Sequence, residues 1–125
     1  MNLAISIFSI KGVLFKERAA MIVLPALEGQ IGVLYNHIPM ITSLKFGLIK
    51  LLDQDNKIVA QFYIDGGVAK IDNTAVNVIC SDCCQAMNLT IEDVRDKIGF
   101  LTQLGNKASK LEFYQKILLD FGNAA

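Results

Sequence analysis

Apolar residues recur at every second position before Met87 and at every third or fourth position after it. That change of period divides the chain into a part built from strands and a part built from helices. Leu3, Ile5 and Ile7 alternate with Ala4, Ser6 and Phe8, and Val13 and Phe15 follow a Lys11-Gly12 turn. Ala20, Ile22 and Leu24 then share one face as far as Pro25. After an irregular stretch, residues 28–41 (EGQIGVLYNHIPMI), Ile41 to Leu44 and Leu48 to Leu52 read as two strands separated at Phe46-Gly47. Asp53 to Asn56 has the composition of a hairpin loop. Ile58 to Ile64 stops at Asp65-Gly66-Gly67, and Val68 to Ile71 and Ala75 to Cys80 flank a tight Asp72-Asn73 turn. Short strands with turns every eight to twelve residues or so predict a sandwich or barrel.

Beyond Met87, Thr90 caps a helix, with Asp93 completing an imperfect capping box and Glu92 placed where the helix dipole favours an anion. Ile91, Val94, Ile98 and Leu101 form one stripe, and Gly105-Asn106 ends the helix. Leu111, Tyr114, Leu118 and Phe121 form the packing stripe of a second helix, widened by Ile117. The short link makes the helices antiparallel. The predicted fold class is mainly β plus α. A β-sandwich of about eight to ten short strands over residues 1–87 is followed by a C-terminal antiparallel two-helix hairpin over 88–125. Helices this short are marginal alone in water, so the hairpin needs a surface to lean on and is a natural mobile element.

Charge excludes several classes of partner. Twelve basic residues balance twelve acidic ones, seven against seven up to Met87 and five against five beyond it. No field attracts nucleic acid, and none is expected as a partner. Hydrophobic residues make up 53% of the chain, yet no apolar run approaches the roughly 18–20 residues of a membrane helix. MNLAISIFSI has no basic leader and is interrupted by Asn2, Ser6 and Ser9, so it reads as a strand of a cytosolic chain. The apolar excess is then available for burial against other subunits.

Catalytic and metal chemistry find little support. Cys80, Cys83 and Cys84, in CSDCC, are odd in number and read as small apolar side chains at a strand end, kept reduced by the cell. A zinc site would need further donors, and His37 is the only other candidate; no metal is expected. His37 has no nucleophile elbow or Cys-His signature to serve, and phosphate-binding glycine motifs are absent. It reads as a structural or contact residue, and no residue is assigned as catalytic.

The run PALEGQIGVLYNHIPMITSLKFGLIK, residues 25–50, resembles the epsilon subunit of bacterial F-type ATP synthases. That family carries an E-G-x-x-G loop, a His-x-P, a Thr and an L-K-x-G strand break, and DGGVA at 65–69 is similar to its Gly-Gly segment. The match is specific over residues 25–70 and architectural over the hairpin. The resemblance implies a non-catalytic rotor, or central-stalk, subunit that couples proton-driven c-ring rotation through gamma to ATP synthesis. It would sit peripherally at the cytoplasmic face of the cell membrane. It further implies c-ring contact at Glu28, Gly29 and Gln30, with Gly29 and Gly32 turning the loop, and gamma contact at His37 and Thr42.

Several positions depart from the family. Many relatives carry a carboxylate where this chain has Gln30, so charge assistance to a basic ring loop is lost. Some relatives bind regulatory ATP through I/L-D-x-x-R-A; here Ile91 and Arg95 fit, but Glu92 lengthens the acid and Asp96 adds a negative charge. No other cofactor is implied. An extended second helix could reach the alpha and beta catalytic subunits and regulate hydrolysis, with Gly105 as hinge. Here Lys107, Lys110 and Lys116 exceed Glu112 and Asp120 by only one charge. A permanently packed hairpin is the bland alternative. A stand-alone ligand-binding β-domain, without a rotary role, would instead require a concave aromatic-lined pocket.

Overall fold

The computed structural model describes residues 2–9, 12–87, 89–103 and 108–124, with backbone alone at 108, 109 and 121–124. The chain divides into two units, Met1–Met87 and Asn88–Ala125. The first unit holds β1 (Leu3–Ser9), β2 (Gly12–Ala19), β3 (Met21–Ala26), β4 (Gly29–Leu34), β5 (Met40–Leu52), β6 (Ile58–Ile71), β7 (Ala75–Ile79) and β8 (Cys83–Gln85). They are hydrogen-bonded in the order β2-β1-β7-β6-β5-β3-β4, with β8 added to β6. The β1–β7 pair is parallel, and the other pairs are antiparallel.

This ribbon folds over on itself to make a sandwich. Phe15, on β2 at one end of the order, packs its ring 4.4 Å from that of Phe62 on β6. One core joins Ile5, Ile7, Val76 and Val78 from one end of the sheet with Ile22, Leu24 and Val33 from the other. Each such aliphatic side chain contributes on the order of 1.5–3 kcal/mol by leaving water.

Two breaks expected from the sequence are bends inside continuous strands. β5 runs through Phe46-Gly47, with Phe46 opposite Asp65 and Gly47 opposite Ile64. β6 runs through Asp65-Gly66-Gly67, where Gly66 and Gly67 take φ of +85° and +145°. Positive φ turns the strand without ending its ladder, so β5 and β6, of 13 and 14 residues, span the bend. Residues 28–41 are also more regular than expected. Gly29–Leu34 is β4, paired with β3 as far as Ala26 opposite Gly29, and the turn lies at Leu27-Glu28. Gly32 is therefore a strand residue opposite Val23 and does not shape the turn. Three-residue β8 carries no periodicity of its own and is not predicted by the sequence. The Asp53–Asn56 loop is as its composition predicts: Asp53 Oδ1 accepts the amides of Asp55 and Lys57 at 2.8 and 3.0 Å, and Asn56 adopts φ +62°.

The second unit contains α1 (Ile91–Gln103) and α2 (Ala108–Ala124), which pack together. Thr90 Oγ1 accepts the Asp93 amide at 3.1 Å, and the Asp93 carboxylate accepts the Thr90 amide at 3.3 Å, a reciprocal cap. Val94 and Leu101 are buried on α1, as Phe113 and Ile117 are on α2. Leu111, Tyr114 and Leu118 are only half-buried, so the stripe centres one position away from the sequence expectation, on a Phe113–Ile117 pair four residues apart. The side chain of Phe121, and Gly105 and Asn106 between the helices, lie outside the described residues. Among the described residues no helix is long and apolar enough to cross a membrane.

Candidate functional site

The β3–β4 hairpin and the start of β5 lie side by side, tied by the Leu27 amide to the Ser43 carbonyl at 3.1 Å. Between them lies an open groove of about 590 Å³ lined by Ala26 to Ile31 and Met40 to Ser43. Glu28, Gly29, Gln30 and Thr42, assigned in sequence to two different partners, thus line one groove. Glu28 and Gln30 are exposed, Gly29 and Thr42 half-buried. The Thr42 hydroxyl donates to the Ser43 carbonyl at 3.4 Å.

His37 is not in the groove lining but in the turn just before β5. Asn36 precedes it at φ +67°, a left-handed conformation that asparagine tolerates better than most side chains. The Asn36 amide donates to the Asn73 carbonyl at 2.6 Å, fixing this turn to the β6–β7 hairpin, and the His37 amide donates to Leu34 at 3.1 Å. His37 Nδ1 lies 2.6 Å from the Ile38 carbonyl, which can only accept, so the proton sits on Nδ1. The ring is held by backbone, and among the described residues no acid or nucleophile is bonded to it. This arrangement suits recognition and gives a base nothing to activate.

A rotor subunit calls for a contiguous apolar or neutral patch beside His37 and Thr42, and an apolar rim is present on this edge, although sequence reasoning did not name its residues. Ile38 is 79% exposed, Ile41 71% and Leu27 61%, and Met40 is exposed beside them. A signal was available: Ile38-Pro39-Met40-Ile41 is an unbroken apolar run, and a strand face can hide only alternate members. A smaller groove of about 260 Å³ continues along Pro39, Met40 and Ile41 to Lys70 and Asp72. Ile91, Glu92 and Arg95 are exposed on the first two turns of α1. Glu92, Asp93 and Asp96 surround that Arg in sequence, and the Asp93 carboxylate already occupies the helix start. Among the described residues no cluster of His, Cys, Asp and Glu is arranged to hold a metal ion.

Residues 2–86 match the family model described as the ATP synthase delta/epsilon chain, beta-sandwich domain. This chain belongs to that family. The ATP synthase epsilon chain of Rickettsia bellii (strain OSU 85-389) is 34% identical over 90 residues, covering 71% of this chain and 83% of the relative. That of Pelagibacter ubique is 32% identical over 114 residues, with 88% and 82% covered. A chain in the Euglena gracilis mitochondrial ATP synthase structure (OSCP/F1/c-ring) superposes with a TM-score of 0.70 at 17% identity, covering 98% of this chain and 81% of that one. A chain of the Tetrahymena thermophila mitochondrial ATP synthase central stalk and c-ring structure gives 0.57 at 10% identity, with 94% and 97% covered. Both structural likenesses extend over the sandwich-plus-hairpin architecture. This member of the epsilon family is accordingly a subunit of an ATP synthase, a membrane-associated complex, and its sandwich is the part the family model describes.

Proposed function

We propose that this chain is the rotor subunit that joins the c-ring to gamma in the central stalk and has no catalytic step of its own. It sits peripherally at the cytoplasmic face of the membrane. The exposed apolar rim of Leu27, Ile38, Met40 and Ile41 beside His37 and Thr42 supports this reading most directly. A surface of that kind is stabilised by covering it with another subunit. Glu28, Gly29 and Gln30, at the polar tip of the β3–β4 hairpin, contact the c-ring. His37 and Thr42, on the adjoining edge, contact gamma. The groove lining contains no aromatic residue, which a stand-alone ligand-binding domain would need.

The hairpin is read as a regulatory element that reaches the alpha and beta subunits when it leaves its packed state. No resident cofactor is proposed. Regulatory ATP at Ile91, Glu92 and Arg95 would have to overcome the carboxylates around Arg95, and equilibrium dialysis with labelled ATP tests it directly.

The decisive experiment replaces Ile38 and Ile41 by Asp in the full chain and measures association with purified gamma. Loss of at least about 2 kcal/mol of binding, or roughly thirtyfold in Kd, is expected for a buried apolar anchor. Unchanged affinity in a normally folded variant overturns the assignment of this edge.

A further inference from the structure

β5 extends past the end of the strand beside it. It pairs with β6 from Met40 onward, but with β3 only as far as Leu44 opposite Ala26, because β3 ends there and the chain turns at Leu27-Glu28. The Leu27 amide, donating to the Ser43 carbonyl at 3.1 Å, is the last tie on that side. Residues 40–42 therefore overhang β3 and border the groove with one backbone edge uncovered.

Strand geometry fixes which groups lie on that edge. The N–H and C=O of successive residues point to opposite sides of an antiparallel strand, and the Ser43 carbonyl points toward β3. Ile41, two residues earlier, thus directs its N–H and C=O to the same side, into the groove. The β6 strand agrees with this alternation. There the Asp72 amide donates across to Ala75 on β7 at 2.8 Å, so Ala69 faces β5 and meets Thr42. Among the described residues neither Ile41 backbone group has a backbone partner. Pro39, two residues before it, brings no amide to this edge.

The end of the sheet at β2 is guarded in a way this edge is not. β2 carries Lys16, Glu17 and Arg18, charges that discourage an added strand. Residues 38–43 hold no charged side chain, and Leu27, Ile38 and Ile41 expose apolar surface beside the open groups. Main-chain groups to bond and apolar side chains to cover are what an incoming strand uses.

From this geometry we propose that the groove receives an extended segment of gamma, which adds to β5 as a short antiparallel strand. Ile41 lies between His37 and Thr42, the two positions assigned to gamma, and the added strand rests on that assignment. In a hydrogen-bonded antiparallel pair the two residues exchange both N–H···O bonds, so one gamma residue satisfies the N–H and the C=O of Ile41 together. Its side chain lies on the face of Ile41 and is apolar or β-branched, covering the rim. The residues flanking it turn to the face of Thr42.

The test is residue-resolved amide exchange of the full-length chain, alone and with purified gamma, by quenched deuterium exchange and NMR. Alone, the Ile41 amide should exchange close to the unprotected rate, while the Thr42 amide is slowed by its bond to β6. With gamma bound, the Ile41 amide should slow at least about a hundredfold. A second readout is Ile41→Pro, which removes this amide without removing a bond to β6, its fold being checked by circular dichroism. It should weaken gamma binding at least about tenfold, whereas Ile41→Val, which keeps the amide, should lose less than about fivefold. Gamma binding with the Ile41 amide still in rapid exchange, or equal affinity of the proline and valine variants, overturns the added strand and leaves the gamma contact standing. Failure of the parent chain to bind gamma overturns both. Protection of Ile41 that appears without gamma and grows with chain concentration means that a second copy fills the groove, and it overturns the proposal as well.

Discussion

Gly67 shows how much a single position can decide. It combines φ +145° with a backbone approach that leaves no room for a side chain. Gly67→Ala should therefore lower the unfolding free energy by about 2–3 kcal/mol in urea titration. Gly66→Ala, whose Cβ would lie 3.2 Å from the Leu44 carbonyl, should cost less. Equal stability of the Gly67 variant and the parent chain would contradict the close approach. His37 is the opposite case. Among the described residues its ring bonds only to the neighbouring Ile38 carbonyl, so His37→Ala should cost at most about 1 kcal/mol of fold stability. The same substitution should weaken gamma binding severalfold in a pull-down titration, which a purely structural turn residue would not do. The DGG sequence announced a special backbone, but not whether it ended the strand or bent it. Local propensity is the same for both, and only the partner strand decides.

At the scale of elements, the hairpin separates helix existence from helix facing. Thr90 and Asp93 cap α1 in the way their spacing predicts, and Thr90→Ala should cost about 1 kcal/mol of hairpin stability. The buried stripe of α2 lies one residue away from the predicted one, because Phe113 is 1% exposed and Leu111 is not buried. Two overlapping stripes are present in LEFYQKILL, and the facing helix chooses between them. Phe113→Ala should accordingly melt α2, at a cost of about 3–5 kcal/mol, while Leu111→Ala costs clearly less. Amide hydrogen exchange resolves the outcome by element: α1 and α2 should lose protection while the β5 and β6 amides keep theirs, since the two units are distinct. Loss of protection throughout would mean that the hairpin supports the sandwich.

For the whole molecule, the consequential property is a neutral chain with an apolar edge. Gln30→Glu should make association with the c-ring more salt-dependent, because a carboxylate facing a basic loop adds a screened attraction that an amide lacks. Binding measured at two ionic strengths reads this directly, and identical salt slopes would remove Gln30 from that contact. Truncation after Met87 should leave a folded sandwich, and ATPase assays of the catalytic head with and without residues 88–125 then report whether the hairpin restrains hydrolysis. The sequence by itself determined the change from strand to helix at Met87, the cap at Thr90, the polar Asp53 loop and the family motifs of residues 25–50, since each is written in near neighbours. Tertiary structure alone decided that Glu28 and Thr42 share a groove, and which members of the apolar run at residues 38–41 remain outside the core. Those outcomes depend on strand register, and register is a relation between distant segments that no local pattern can carry.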